Sequence, residues 1–179
     1  MRDKYKGMTV NERLCESNLI EKYDDAVKKK DVGKIISILE EVELVEKSII
    51  PILENLRLLG EKYEYKREKF IDNTQKYFKF LETEFEYSKP NHSINKQENG
   101  TVITDKIEYK NISLNKKIVI SNSYHPNDYG FEINIIEEEN GRKEMLFYVL
   151  KEEQDIKQEY IKGQSEALKY YCKQIDKSK

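Results

Sequence analysis

Asn140-Gly141 lies between two runs of alternating apolar residues, Asp128 to Ile136 and Lys143 to Leu150, and no other short stretch restricts the fold of this chain as tightly. Asn-Gly supplies both positive-φ residues of a type I′ turn, whose twist matches that of the strands it joins. A two-residue turn here sets the register: Glu139 opposite Arg142, Glu138 opposite Lys143, Ile135 opposite Leu146, Ile133 opposite Tyr148 and Phe131 opposite Leu150. Every inward pair is then apolar, so the predicted inner face carries Phe131, Ile133, Ile135, Leu146, Tyr148 and Leu150. Glu132, Asn134, Ile136, Met145, Phe147 and Val149 fall on the other face. That face is half apolar, more than a solvated sheet needs, and calls for covering helices or a docked partner.

Val102 to Tyr109 and Lys117 to Ser123 read as two further strands, with Phe85 to Ser88 as a candidate fifth. Residues 88–100 are polar and punctuated by Pro90 and Gly100, so they read as a loop. Short connections make an antiparallel meander of four or five strands the simplest topology. Helices flank these strands. Thr9 followed by Glu12 has the form of a capping box and predicts a helix from about Val10. Asp31 and Ser48 are placed to cap two more, with Pro51 near the start of the second and Gly60 as its stop. Residues 1–8 lack periodicity and are expected to fray. Glu61 to about Thr83 carries Phe70, Ile71, Thr74, Tyr77, Phe78 and Leu81 at helical spacing, an aromatic stripe suited to covering a sheet. A last helix from about Glu152 to Asp176 presents Ile156, Tyr160, Ile161, Leu168, Tyr171 and Ile175. The expected fold is α+β: a small helical unit over residues 1–60, then a domain over 61–179 in which helices pack on an antiparallel sheet.

The composition excludes several function classes. Lys and Arg number 32 against 34 Asp and Glu, a net charge of -2, and the two signs are interspersed throughout. Nucleic-acid binding needs clustered cations to displace counterions, so it is disfavoured. No apolar run approaches a membrane span and the N-terminus lacks a signal-peptide core, which together point to a cytoplasmic protein. Cys15 and Cys172 stand far apart, without metal-ligand or disulfide-framework spacing, and read as small buried hydrophobes. His92 and His125 likewise have no local ligand set, no phosphate-cradling glycine loop is present, and neither a metal nor a cofactor is expected.

The densest set of chemically capable residues is Ser121 to Gly130. His125 and Asp128 could act as an acid–base pair with Ser121 or Ser123 as nucleophile, but Pro126, Asn127, Asp128 and Gly130 are turn-formers, and a turn or partner-binding loop is the simpler account. Glu137-Glu138-Glu139 reads as a solvated strand end answered across the hairpin, or as an acidic contact for a basic partner. Thirteen tyrosines and no tryptophan suit a binding surface, since tyrosine supplies contact area with few rotors. Tyr124, His125, Asn127, Asp128, Tyr129, Glu137 and Glu138 are therefore the candidate partner-binding residues.

Two resemblances bear on function. Met8-Thr9-Val10-Asn11-Glu12-Arg13-Leu14, with Tyr23-Asp24, Ala26, Lys30-Asp31, Ile38-Leu39 and Val42, resembles small uncharacterised bacterial helical proteins beginning with the same Asn-Glu-Arg-Leu run. Those proteins usually have Gly at the position of Asn18 and Phe at that of Tyr23; the resemblance implies a fold unit without an activity, and a start at Met8. The remainder, with Ile107-Glu108-Tyr109-Lys110-Asn111, the run Lys117 to Ile136 and a Tyr-rich closing helix, is similar in architecture to small immunity proteins encoded beside bacterial polymorphic toxins. That similarity implies a non-enzymatic protein that neutralises a cognate toxin by binding it, without cofactors. The competing readings are an enzyme using the His125/Asp128 turn, and a phage or mobile-element accessory protein that binds a host factor.

Overall fold

The computed structural model describes residues 4–124 and 130–176. The chain divides into two compact units, Met1–Lys66 and Arg67–Lys179.

The first unit is a run of short helices: α1 (Val10–Glu16), α2 (Ile20–Lys28), α3 (Val32–Glu41) and α4 (Glu46–Asn55). Thr9 and Glu12 form the predicted capping box, and Asp31 accepts the Lys34 N–H at the start of α3. Leu14, Ile35, Leu39, Ile49 and Leu53 are fully buried. Each helix ends the same way: Asn18, Lys30, Glu43 and Arg57 adopt φ between 54° and 60°, and the N–H of the next residue reaches back five positions to a helix carbonyl. This is the Schellman stop, usually made with glycine.

Three expectations for this unit are corrected. Ser48 does not cap α4, which starts earlier behind Val45 and so places Pro51 well inside the helix. Gly60 does not end a helix but lies in the first turn of α5 (Leu59–Tyr77), because Arg57 supplies the stop instead. Nor does all of the N-terminal stretch fray: Tyr5 is buried and its hydroxyl meets Ser17 Oγ at 2.6 Å.

The second unit continues α5 into α6 (Phe80–Glu84), then β1 (Asn91–Lys96), β2 (Val102–Asn111), β3 (Lys116–Ser123), β4 (Gly130–Glu137), β5 (Lys143–Leu150) and α7 (Tyr160–Asp176). The five strands form one antiparallel sheet in the order β1-β2-β3-β4-β5, a meander. The fold is α+β with a closing helix. Phe70, Phe78 and Leu81 join Ile107, Tyr109, Ile118, Ile120, Phe131, Ile133, Ile161 and Leu168 in one core cluster. The aromatic stripe of α5 is thus core-facing, with Phe70 and Phe131 edge to face at a centroid distance of 6.3 Å.

Residues 88–100 are not a loop throughout. β1 pairs with β2 from Asn91 opposite Glu108, and Asn99-Gly100 makes the turn between them. Backbone pairing to β2 overrides the weak apolar content of Asn91–Lys96. The predicted helix over 61–83 breaks after Tyr77 without a glycine or proline, bringing the rings of Phe78, Phe80 and Phe85 together at centroid spacings of 6.0 Å. α7 begins at Tyr160, later than expected, because Lys151–Glu153 forms a separate 3-10 turn.

The β4–β5 hairpin forms, but not with the predicted turn. Gly141 alone has positive φ, at 70°, and Glu137 and Arg142 close the ladder around a longer loop. A bulge follows, since Ile133 opposes Phe147 while Asn134 opposes Met145, leaving Leu146 outside the pairing. The two effects shift β5 by one residue over its second half. Phe131 faces Val149 and Ile133 faces Phe147 on the inner side, while Tyr148 turns outward and is 57% exposed. Predicted cross-hairpin pairs change accordingly: Glu138 meets Lys110, and Lys143 meets Glu132.

Candidate functional site

Strand alternation places Asp105 on the same face as Ile107 and Tyr109, and Asn122 on that of Ile118 and Ile120. Two polar side chains therefore enter the inner layer at one end of the sheet, both without exposed surface. Arg67 of α5 clamps Asp105, with Nε 2.8 Å from Oδ2 and Nη2 3.0 Å from Oδ1. His92 of β1 brings Nε2 to 2.9 Å from Oδ1. Desolvation pushes the carboxyl toward higher pKa, but hydrogen bonds from Arg67 and His92 and the Arg67 charge together outweigh it and hold Asp105 below the usual carboxylate range. Tyr124, just past β3, faces the same carboxylate, and burial first, then the Asp105 charge, raises its phenol pKa.

Beside this group lies a second polar set. Gln154 donates to Asn122 Oδ1 at 3.0 Å, Asn122 donates to Gln158 Oε1 at 3.2 Å, and the Tyr160 hydroxyl donates to that oxygen at 2.8 Å. Asn73 of α5 donates to the carbonyls of Lys157 and Gln158, tying the approach to α7 against the long helix. Gly130 makes room for this set: its φ is 111°, and a Cβ there would lie 2.6 Å from Gln154 Nε2.

These groups satisfy one another. Asp105 uses both oxygens on Arg67 and His92, so it is a poor proton acceptor for a substrate, though it orients an imidazole whose side chain is 27% exposed. Strand parity separates the serine candidates from this group, because Ser121 and Ser123 lie on the opposite face, Ser123 within 3.4 Å of Thr104 Oγ1. Among the described residues no group of three or more His, Cys, Asp or Glu is arranged to hold a metal ion. Likewise, no described helix is long and apolar enough to cross a membrane.

The candidates that lie among the described residues, Tyr124, Glu137 and Glu138, do not form one site. Tyr124 sits at the Asp105 end, whereas Glu137 pairs with Lys116 at the far end of β3, a strand length of about 25 Å away. Glu137 accepts from Asn140 Nδ2 at 2.9 Å and Glu138 pairs with Lys110 at 3.7 Å. His125, Asn127, Asp128 and Tyr129 lie outside the described residues. Cys15 is exposed rather than buried, because α1 turns that side of the helix outward; Cys172 is half-buried. Arg67, His92 and Asp105 escaped the sequence reading, although an Asp in register with Ile107 and Tyr109 was a visible irregularity.

At the Glu137 end the surface opens into a cleft of ≈ 580 Å³ among the α6–β1 link, the β2–β3 turn and α7. Asn111 fixes two of its walls, donating to the Phe85 carbonyl at 2.9 Å and accepting from the Leu114 N–H at 2.9 Å. Large apolar side chains stand free nearby and along β5: Ile112 is 90% exposed, Met145 45% and Leu114 40%. No family model, curated protein or solved structure matches the chain.

Proposed function

We propose that this chain is a non-enzymatic binding protein that neutralises a bacterial toxin by direct contact. The observation that carries the reading is the distribution of its exposed apolar side chains. Met145 and Tyr148 share the outer face of β5, and Ile112 and Leu114 project from the β2–β3 turn. Single exposed apolar residues are ordinary, whereas several on neighbouring elements of one unit suit a protein interface. The polar groups, in contrast, are spent on one another: Asp105 on Arg67 and His92, Asn122 on Gln154 and Gln158. Such networks fix a core, and their saturation favours a scaffold over a reaction centre. The balanced charge of -2 disfavours nucleic acid as the partner. A cytoplasmic location accompanies the reading.

The test is co-expression with the product of the adjacent open reading frame, scored by growth. Growth arrest by that neighbour, relieved by this chain, is the expected result. A harmless neighbour, or arrest that persists, removes the toxin-neutralising reading.

A further inference from the structure

We propose that the cleft between the α6–β1 link and the β2–β3 turn receives a cationic side chain, lysine or arginine, carried by a partner protein. That the bearer is a protein rests on the binding reading above; the chemistry of the cleft does not.

Size comes first. At ≈ 580 Å³ the cleft falls within the roughly 300–1,000 Å³ of sites that enclose a small ligand or a large side chain. It is also held open, since Asn111, 2% exposed, bridges the Phe85 carbonyl on one wall and the Leu114 N–H on the other. Collapse would cost both hydrogen bonds.

The lining selects the charge. Phe85, Tyr87 and Tyr171 contribute aromatic walls, which attract cations through their quadrupoles. The chain already uses this combination at the rim, where the Lys169 ammonium lies 5.4 Å from the Phe80 centroid and pairs with Glu84. Lys116, the cation in the lining, is engaged by Glu137 at 4.0 Å. Glu86 differs. Its carboxylate is exposed at the cleft and has no cationic partner among the described residues. With the other charges paired off, one acid beside three aromatic rings complements a lysine or arginine and repels an anion.

Native thiols make the proposal testable. Cys172 lines the cleft and is half-buried, while exposed Cys15, in the other unit, serves as an internal control. N-ethylmaleimide labelling of both is followed by peptide mass spectrometry with millimolar acetyl-Ala-X-Ala-amide, X being Arg, Lys, Leu or Glu. The Arg and Lys peptides are expected to slow labelling of Cys172 by at least about threefold and to leave Cys15 unchanged. Glu86→Gln, at an exposed position and checked for an unchanged thermal melt, removes the protection. No protection, equal protection by the Leu peptide, or protection that survives Glu86→Gln overturns the proposal.

Co-expression separates this from the toxin reading. If the wild type relieves toxicity and Glu86→Lys does not, the cleft is the partner's seat. If both relieve it equally, the cleft proposal fails while the toxin reading stands. If the wild type relieves nothing, the toxin reading fails and the peptide experiment alone decides the cleft.

Discussion

An isolated carboxylate with no exposed surface would cost several kcal/mol to bury, and Asp105 is tolerated because Arg67 meets it with two hydrogen bonds and His92 with a third. Removing one partner of such a pair is worse than removing both. Asp105→Asn keeps the shape but removes the charge facing a guanidinium whose side chain is 11% exposed, and urea denaturation should show a loss of about 3 kcal/mol, whereas Asp105→Leu with Arg67→Met should recover much of it. A single variant as stable as the wild type would contradict this account. The pH dependence has a definite sign. The folded pKa of Asp105 is depressed, so its contribution is fully present above the unfolded value near 3.9 and is lost as pH falls through the folded value. Melting temperatures measured from pH 5 downward should therefore fall more steeply for the wild type than for Asp105→Asn. At this scale the sequence was half legible. Alternation with Ile107 and Tyr109, and with Ile118 and Ile120, is enough to turn Asp105 and Asn122 inward, a signal the sequence reading passed over; their partners lie far off along the chain, and periodicity carries no information about which distant residue answers a buried charge.

Element boundaries turn on local backbone conformation. Four helix ends place Asn18, Lys30, Glu43 and Arg57 in the left-handed region, where a side chain costs roughly 1–2 kcal/mol and glycine costs none sterically. Arg57 is exposed, so Arg57→Gly should stabilise the first unit by about 0.5 kcal/mol, the relief being offset in part by the greater freedom of glycine in the unfolded chain. A lower urea midpoint would refute it. In the hairpin, φ is positive at Gly141 and not at Asn140. Gly141→Ala should accordingly cost about 1 kcal/mol, and Asn140→Gly should also destabilise, because the Asn140 amide bridges Glu137 and the Arg142 N–H. A type I′ turn would instead gain from glycine at position 140, so thermal melts of the two variants distinguish the loops. The capping box at Thr9 and the cap at Asp31 were legible because their signals are complete within four residues. The stop at Arg57 was not, since nothing in that side chain announces left-handed backbone. β1 was missed because Asn91–Lys96 owes its extended form to β2.

Each unit of the molecule has its own buried core, Leu14, Ile35 and Leu39 in one, Phe70, Phe131 and Ile133 in the other. Units near 60 residues bury a smaller share of their surface than larger ones and are marginal on their own. Urea should therefore unfold the first unit before the second. Leu39→Ala should lower the first midpoint, at a cost of about 2–5 kcal/mol, and leave the second in place, while Phe131→Ala does the reverse. One concerted transition shifted by both variants would show that the units unfold together. Overall architecture was readable because helical and strand periods occupy separate runs of the chain, helices first, then strands, then a closing helix, whereas the cleft near Asn111 was not, being assembled from residues 84 to 172 that only the fold brings together. The bulge at Leu146 has a consequence of another kind. β5 is an edge strand whose second half, Leu146 to Leu150, contains no charge and no proline, the composition that lets edge strands of separate molecules recruit one another into fibrils. A residue left out of the pairing bends the strand midway and spoils its straight run of exposed N–H and C=O groups. The same irregularity that turns Tyr148 outward thus denies another copy of the chain a straight template to extend.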